Sequence, residues 1–321
     1  MRIFRRAFVA SLMLLSSLAA AQDWPSRPIK VILPYSPGGG SDVITRLIMD
    51  RVSRKFVQQF VTENRPGAGG TIGSDIVAKA RPDGYTLIVS GMGSHVVAPV
   101  LMNAPFDPMK SFTHIALFGG PPLALAVHPA FEAKTLQQFV ELSRATPEGI
   151  AYGSPGSGTH AHLIGEMFRK LTGGKLVHVP YKGGGPAAAD LVAGHIPSAI
   201  ITLGPAAPFV RAGKLRLLAL TSARRVADFP DVPTFAESGY KDMVAITWFS
   251  LSGPAGLPRE IVLRLNAAVR AALAEPEVRE QLLADGIEPG NLDADAFTEF
   301  FRAEIERWAP LARAVRVSTP K

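Results

Sequence analysis

The stretch Pro34-Tyr-Ser-Pro-Gly-Gly-Gly-Ser-Asp42 decides the fold class of this chain. It follows an apolar run at 29–35 that is typical of a buried strand, and it precedes residues 42–56, whose apolar side chains recur at helical spacing. The same order of strand, turn and helix continues as far as residue 221. Alternating strands and helices are typical of parallel, doubly wound sheets. We therefore predict an α/β protein.

Two further loops are rich in glycine and also lie between a predicted strand and a predicted helix. They are Tyr152-Gly-Ser-Pro-Gly-Ser-Gly-Thr-His-Ala-His162 and Tyr181-Lys-Gly-Gly-Gly-Pro186. Glycine lets a backbone approach a ligand closely, and the unpaired N–H groups at a helix N-terminus favour an anion. Any one such loop is also compatible with an ordinary tight turn. Together, at the carboxyl ends of strands, the three loops predict an anion site between two lobes.

The pattern changes in the last part of the chain. After Pro258 only helices are predicted, at 260–274, 278–284 and 294–315. Since no new strand follows for them to cover, these helices pack most economically on the first sheet. The chain then leaves that sheet, builds a second one and returns, and two crossings predict a hinged cleft. The predicted domains are residues 22–122 with 246–321 (domain I) and residues 123–245 (domain II).

The first 21 residues have the pattern of a secretory signal peptide. A basic start at Met1–Arg6 precedes the apolar run Ala7–Ala21, which ends in small residues. An apolar helix of this length would rise about 22 Å, which is short of the ~30 Å hydrocarbon core of a bilayer. We expect cleavage near Ala21, export to the periplasm, and a mature chain that is not embedded in a membrane.

Composition excludes several classes of function. The 321 residues include no cysteine, which excludes disulfides, thiol nucleophiles, cysteine-ligated metal centres and a lipidated cysteine. The formal net charge is +7. The sequence nevertheless has no basic stripe with interleaved aromatic residues, so we expect no nucleic-acid partner.

The motifs of common enzyme classes are also missing. Gly38–Gly40 lacks the G-x-G-x-x-G register of dinucleotide-binding proteins, and neither Ser154 nor Ser157 lies in the G-x-S-x-G pattern of α/β hydrolases. His160 and His162 are candidate metal ligands, but they fall on opposite sides of a helix start. We therefore expect no metal, no cofactor and no catalytic residue.

Several segments in a shared order carry a resemblance to a known family. They are Trp24–Ile29, Pro34–Asp42, Glu63–Gly70, Pro82–Leu87, Tyr152–Thr159, Val179–Gly183 and Trp248-Phe249. Through them the sequence resembles the substrate-binding receptors of tripartite tricarboxylate transporters, the Bug receptors. The resemblance implies a two-lobed periplasmic binding protein fold of type II, each lobe a sheet flanked by helices, with two hinge crossings. It also implies an extracytoplasmic solute-binding receptor, not an enzyme, that captures a small carboxylate for the membrane subunits of a transporter.

The resemblance further implies where the ligand binds. Loop amides, hydroxyls and bridging waters would hold its carboxylate, mainly from the first two glycine-rich loops, and the end of the strand before His95 would line the cleft with the third loop. The ligand-binding residues expected on this basis are Tyr35, Ser36, Gly38, Gly39, Asp42, Ser90, Ser94, His95, Ser154, Gly158, Thr159, Tyr181 and Gly183. We also expect Asp42 to be the N-cap of its helix, because of its residue type and its position.

Two other functions stay open at this point. A secreted α/β hydrolase, or another small-molecule enzyme, would need a base near Ser154 or Ser157 together with an orienting carboxylate. A ligand-sensing partner of a signalling protein would share the fold and the ligand site but would serve no transporter.

Overall fold

The computed structural model describes residues 24–318. The predicted signal peptide lies outside these residues. The strands are β1 (Ile29–Leu33), β2 (Phe60–Asn64), β3 (Thr86–Gly91), β4 (Phe112–Gly119), β5 (Leu123–Val127), β6 (Ile150–Ser154), β7 (Leu176–Pro180), β8 (Ser198–Thr202), β9 (Arg216–Leu220) and β10 (Phe249–Pro254). The helices are α1 (Gly40–Phe56), α2 (Thr71–Ala78), α3 (Ala98–Leu101), α4 (Leu136–Ala145), α5 (His160–Thr172), α6 (Gly184–Val192), α7 (Leu203–Arg211), α8 (Arg259–Leu273), α9 (Pro276–Ala284) and α10 (Ala294–Ser318).

The strands form two five-stranded sheets, and each sheet with its helices is one lobe. The first lobe has the strand order β2-β1-β3-β10-β4, and the second has the order β7-β6-β8-β5-β9. In the first lobe, α1 buries Ile44, Ile48 and Val52 against the sheet because these residues recur on one face of the helix. The predicted α/β class with two lobes is confirmed.

The sheets are mixed, not parallel as predicted. β10 runs antiparallel to β3 and β4, and β5 runs antiparallel to β8 and β9. Each of these two strands is the first one after a crossing between the lobes. Because the chain enters β5 and β10 from the cleft, they run away from it, whereas their neighbours end at it. The prediction was wrong here because local apolar patterns do not record strand direction.

The chain crosses between the lobes twice, at 119–123 and at 220–249. Pro122 and Ile246 pair in an antiparallel bridge, so the two crossings lie side by side. The C-terminal helices α8 and α10 pack on β4 of the first sheet, and α10 also contacts α5 of the second lobe. Among the described helices, none combines the length and the hydropathy that a bilayer span requires.

Candidate ligand-binding cleft between the lobes

A small cavity lies between the two lobes. The first lobe and the return crossing line it with Tyr35, Gly39, Gly40, Ser41, Gly93, Thr247 and Phe249. The second lobe lines it with Leu123, Pro155, Thr159, His160, Ala161, Gly184 and Thr202. Its volume, taken as the space that the centre of a water molecule can reach, is about 40 Å³. Residues of both lobes line it, so the space belongs to the cleft and not to either lobe alone.

Four helices begin at this cavity. α1 starts at Gly40 in the first lobe, and α5, α6 and α7 start at His160, Gly184 and Leu203 in the second. In each helix the first N–H groups have no acceptor within the helix, and the aligned peptide dipoles place about half a positive charge at that end. Because the four ends surround one small space, the backbone makes this space favourable for an anion.

The side chains around the cavity are uncharged. Burial lowers the pKa of His160 to about 3, with a smaller contribution from Arg307, so this imidazole is neutral near pH 7. Its Nδ1 lies 2.9 Å from the hydroxyl oxygen of Thr247. Burial raises the pKa of Tyr35, whose hydroxyl donates to the carbonyl of Gly69 at 3.2 Å. Among the lining residues that the structure describes, none is a lysine or an arginine.

The loop that leads into α1, residues 35–39, is held by a carboxylate. Asp42 accepts hydrogen bonds from the backbone N–H of Gly38 at 3.1 Å, from Nε of Arg46 at 3.1 Å and from Nδ2 of Asn64 at 3.2 Å. Burial alone would raise the pKa of Asp42, but these bonds outweigh it and hold the pKa below its usual value. The N-cap is Gly39, so the predicted capping role of Asp42 was wrong. As the third helical residue, Asp42 instead reaches back to the loop, as the acid of a capping box does.

The loop that leads into α5, residues 154–159, is held by neutral groups. Oγ of Ser154 lies 2.6 Å from Nε2 of His178 and accepts from the N–H of Gly156 at 3.1 Å. Nδ1 of His162 accepts from the N–H of Gly158 at 3.3 Å, and the rings of His162 and His178 stack at 4.2 Å. Thr159 is the N-cap of α5, because its hydroxyl accepts from the N–H of His162.

The pair formed by Ser154 and His178 bears on the hydrolase alternative. A base does lie beside Ser154, and burial, followed by the neighbouring His162, lowers the pKa of His178 to about 3. Ser154 is fully buried, however, and its hydroxyl also bonds within the loop. Within residues 24–318 we find no carboxylate hydrogen-bonded to His178, and the nearby Glu166 is engaged by Tyr152 and Arg169. The geometry therefore does not favour a nucleophilic serine.

The two lobes touch each other around the cavity. Ser36 donates to the carbonyl of Lys182 with both its backbone N–H, at 3.1 Å, and its hydroxyl, at 2.6 Å. A Cβ added at Gly158 would come to 2.5 Å from Cγ of Met102 in the first lobe. A Cβ added at Gly183 would come to 3.1 Å from Cβ of Ser36. Side chains at these two glycines would hold the lobes apart.

The structure brings most of the expected ligand-binding residues to the cleft. Tyr35, Gly39 and Thr159 line the cavity. Ser36, Gly38, Gly158 and Gly183 lie at the contacts between the lobes. Asp42 and Ser154 hold the loops and do not line the cavity.

The remaining expected residues lie elsewhere. Ser90 bonds to Ser250 and Ser252 inside the first sheet. Oγ of Ser94 bonds to Nδ1 of His95, whose buried ring packs against Phe112. The hydroxyl of Tyr181 donates to Asp190 at 2.7 Å, outside the cavity. After β3 the chain enters a wide helical turn at Met92–Val97, so only Gly93 of this turn lines the cavity.

Sequence reasoning missed several lining residues. Ser41 is the second residue of α1 and His160 is the first residue of α5, and the rule that helix N-termini face the anion could have identified them. Thr202 ends β8, one residue before the end of the strand predicted at 198–203. Thr247 and Phe249 lie on the return crossing. No local pattern relates that crossing to the cleft.

Comparison with known proteins identifies the family of this chain. Residues 44–317 match the family described as "Tripartite tricarboxylate transporter family receptor". The chain belongs to this receptor family. Protein BugT of Bordetella pertussis is 34% identical over 92% of this chain and 91% of its own length. The resemblance stated from the glycine-rich loops is thereby confirmed.

Solved structures support the same assignment. The structure titled "R. palustris Rpa4515 with adipate" is 33% identical, covers 91% of this chain and 98% of its own, and superposes with a TM-score of 0.87. MatC from Rhodopseudomonas palustris with bound malate is 31% identical over 90% of this chain and 100% of its own, with a TM-score of 0.86. This receptor thus has the two-lobed periplasmic binding protein fold, and it is a solute-binding protein.

Proposed function

We propose that this receptor binds a small carboxylate in the cavity between its lobes and delivers it to the membrane subunits of a tripartite tricarboxylate-type transporter. The observation that carries the proposal is the meeting of four helix N-termini at one cavity with neutral side chains. Such a site favours a negative charge and supplies backbone donors in the geometry that a carboxylate accepts. Adipate and malate in the two related structures are carboxylates of this kind.

The energy of such a site is sufficient without a buried arginine. A hydrogen bond to a charged group contributes roughly 1.5–3 kcal/mol. Four or five of them, less the cost of ordering the ligand and the loops, reach the about −8 kcal/mol of a micromolar complex. The loop residues Ser36, Gly38, Gly39, Gly158 and Thr159 are the proposed donors or the residues that let the donors approach. The protein carries out no catalysis in this proposal.

The same proposal includes the limits of the two lobes and the cellular location of the protein. The first lobe comprises residues 22–122 and 246–321, and the second comprises residues 123–245. The signal peptide is removed near Ala21 on export to the periplasm. Sequencing the N-terminus of the exported protein tests the location, since a chain that starts near Gln22 supports it and a chain that retains Arg5 contradicts it.

Thermal unfolding with matched ligand pairs tests the binding proposal. Each carboxylate of a broad panel is compared with its primary amide, which has nearly the same shape but no charge. A ligand that binds only the native protein stabilises it by about 2.7 kcal/mol when its concentration is 100 times Kd. We expect at least one carboxylate to raise the melting temperature and its amide to leave it unchanged. A panel without any carboxylate-specific shift contradicts the proposal.

A further inference from the structure

The C-terminal helix α10 joins the two lobes. It packs on β4 and on the turn at Met92–Val97 in the first lobe, and on α5 in the second. Nε1 of Trp248 donates to Glu304 of the helix at 2.7 Å. Arg307 of the helix donates to the carbonyl of Val244 at 3.2 Å. The helix therefore also holds the return crossing.

Three buried histidines lie under aromatic side chains of α10. The ring of Phe301 stacks on that of His114, with 3.8 Å between the ring centres, and it also meets His95 edge-on at 6.3 Å. Trp308 meets His160 edge-on at 4.9 Å. The exposed fraction of each histidine is at most 4%. Because His160 is the first residue of α5, Trp308 of one lobe rests on a helix start of the other.

The three imidazoles have the same kind of partner. In each ring Nδ1 lies within hydrogen-bond distance of a hydroxyl oxygen, at 2.9 Å for Ser94, 3.2 Å for Ser252 and 2.9 Å for Thr247. A carboxylate partner would favour the imidazolium form, but within residues 24–318 none of the three rings is paired with one. Nε2 of His95 and of His160 is buried without a hydrogen-bond partner in the protein. A proton added there would be a buried donor without an acceptor, which is costly.

Burial keeps the three rings neutral, and α10 adds to this effect. Burial lowers the pKa of His114 to about 4; a backbone carbonyl opposes this shift in part, and Arg302 of the helix adds to it. Burial lowers the pKa of His160 to about 3, and Arg307 of the helix adds to this shift. The pKa of His95 is lowered by burial and then by His114. The arginines of α10 thus oppose protonation of rings on which the helix lies.

The other charged groups around these contacts do not offset the arginines. The turn at Met92–Val97, β4 and the return crossing at 244–249 contain no charged residue apart from the histidines. The nearby acids already have partners; they are Asp107 before β4, Glu166 on α5, and Glu299 and Glu304 on α10. Lys110, in the loop before β4, is exposed. A proton on any of the three rings is therefore not stabilised by a carboxylate of these elements.

We propose that α10 is a latch between the two lobes, which three neutral histidines (His95, His114 and His160) hold in place at neutral pH and which acid releases. Protonation puts a positive ring beneath the helix and against its arginines, which is costly in a buried position. Once the helix has left, the rings meet water again and titrate with a pKa of about 6.5. The released protein then binds up to three more protons than the latched protein, so release is favoured as the pH falls below about 6.5. Release frees the return crossing and the start of α5. The inference depends neither on the identity of the ligand nor on the proposed function.

A single thiol introduced into α10 tests the latch, because the protein has no cysteine of its own. Ala309 on α10 and Ala207 on α7 of the second lobe are both buried. Mature protein with Ala309→Cys, or with Ala207→Cys as the control, is labelled with dithiodipyridine, which reacts with thiols in acid as well as at neutral pH. Each rate is divided by the rate of the same variant unfolded in urea at the same pH, and this normalised rate measures how often the site opens.

The latch predicts a steep dependence of this rate on pH. Between pH 7.5 and 5.5 each histidine that release exposes raises the opening constant about tenfold, so the normalised rate of Ala309→Cys should rise about a thousandfold when all three are exposed. At pH 5.5 it should exceed the rate of Ala207→Cys at least about tenfold. Equal normalised rates at the two sites at pH 5.5 would mean that α10 opens only when the whole protein unfolds. A rise below about tenfold would mean that the histidines do not control the helix, and either result overturns the latch.

A matched pair of histidine variants, made in the Ala309→Cys protein, tests the cause of the release. His114 lies under Phe301, whereas His195 is exposed on the second lobe. His114→Gln removes one titrating ring, so the rise in rate between pH 7.5 and 5.5 should be about tenfold smaller, whatever the rate at pH 7.5. His195→Gln should leave the rise unchanged. Equal rises in both variants overturn the role of the histidines, and if His114→Gln does not fold, the comparison of the two thiols decides the proposal.

Discussion

The two loops that present helix N-termini to the cleft are fixed in different ways. Residues 35–39 of the first lobe are tied by an ionised group, since Asp42 binds the loop at Gly38 and Arg46 on its other side. Residues 154–159 of the second lobe are tied by uncharged groups, with His178 on Ser154 and His162 on Gly158. Neither arrangement puts a positive side chain into the cavity.

The difference shows that a helix N-terminus can be aimed at an anion with or without a nearby acid. In the first lobe the negative charge of Asp42 is already balanced by Arg46, half of whose side chain is exposed. In the second lobe neutral imidazoles leave the positive end of α5 uncompensated. We therefore expect the first loop to contribute more to the stability of the protein, and the second to contribute more to the electrostatic attraction of the ligand.

The largest effect is expected from removing the acid of the first loop. Asp42→Ala leaves the N–H of Gly38 and the amide of Asn64 without their acceptor, so the free energy of unfolding should fall by about 2–4 kcal/mol. Asp50 is the matched control, because it pairs with Arg54 on the same helix at the same spacing but on the surface. Asp50→Ala should cost less than about 0.5 kcal/mol. Equal urea midpoints for the two variants would show that Asp42 does not fix the loop.

The next effect concerns closure of the second loop on the first lobe. Gly158 and Gly173 flank α5, and both have φ in the left-handed region, at 78° and 66°. Gly158→Val and Gly173→Val should each cost about 1–3 kcal/mol of stability. Only Gly158→Val should weaken ligand binding, by about tenfold or more, because its side chain meets Met102 across the cleft while Gly173 has open space around it. Calorimetry that finds equal affinities in both variants contradicts closure at this contact.

A smaller effect separates the hydroxyls of the two loops. Ser154→Ala removes the partner of His178 and of the Gly156 N–H, and it should lower the free energy of unfolding by about 1–2 kcal/mol. Ser36→Ala removes a bond that forms only between the lobes, so it should weaken ligand binding about three- to tenfold and leave the unfolding free energy nearly unchanged. If Ser36→Ala destabilises the protein more than Ser154→Ala does, the roles assigned to the two hydroxyls are wrong.

The smallest expected effect is on the pH dependence of the stability that the second loop contributes. Burial lowers the pKa of His162, and the nearby Glu166 opposes this shift only partly. The unfolded chain therefore binds a proton at this residue near pH 6.5 while the folded chain does not, so stability falls as the pH drops below about 6.5. Asp42 stays ionised in that window because its pKa is lowered. His162→Gln should make the fall between pH 6.5 and 5 shallower, and an unchanged slope in denaturant titrations would contradict this.

Local patterns predicted the parts of the fold that depend on neighbouring residues. The glycine-rich segments at 36–41 and 154–158 do connect a strand to a helix, because apolar periodicity and glycine both act within a few residues. The start of α1 was placed two residues late, at Asp42 instead of Gly40, since Asp42 is a good capping residue by type. The carboxylate of Asp42 bonds to the loop before the helix and does not cap the helix start. Only the three-dimensional positions of Arg46 and Asn64 reveal this.

Features that depend on contacts between distant residues could not be predicted from the sequence. β5 and β10 are antiparallel to their neighbours because they follow the crossings, and a strand has the same apolar pattern in either direction. The turn at Met92–Val97 withdraws Ser94 and His95 into the core. Thr202 and Thr247 reach the cavity from the end of β8 and from the return crossing. Their positions depend on how the two lobes pack, not on their immediate neighbours.

The central claim is that backbone groups at the helix starts hold the carboxylate between the lobes. A crystal structure of the protein with its tightest carboxylate tests this most directly. We expect both carboxylate oxygens in the cavity, within about 2.7–3.1 Å of backbone nitrogens at the start of α1 in the first lobe and of α5 or α6 in the second. A carboxylate bound outside the cavity, or paired with a lysine or arginine side chain of one lobe, would contradict the claim.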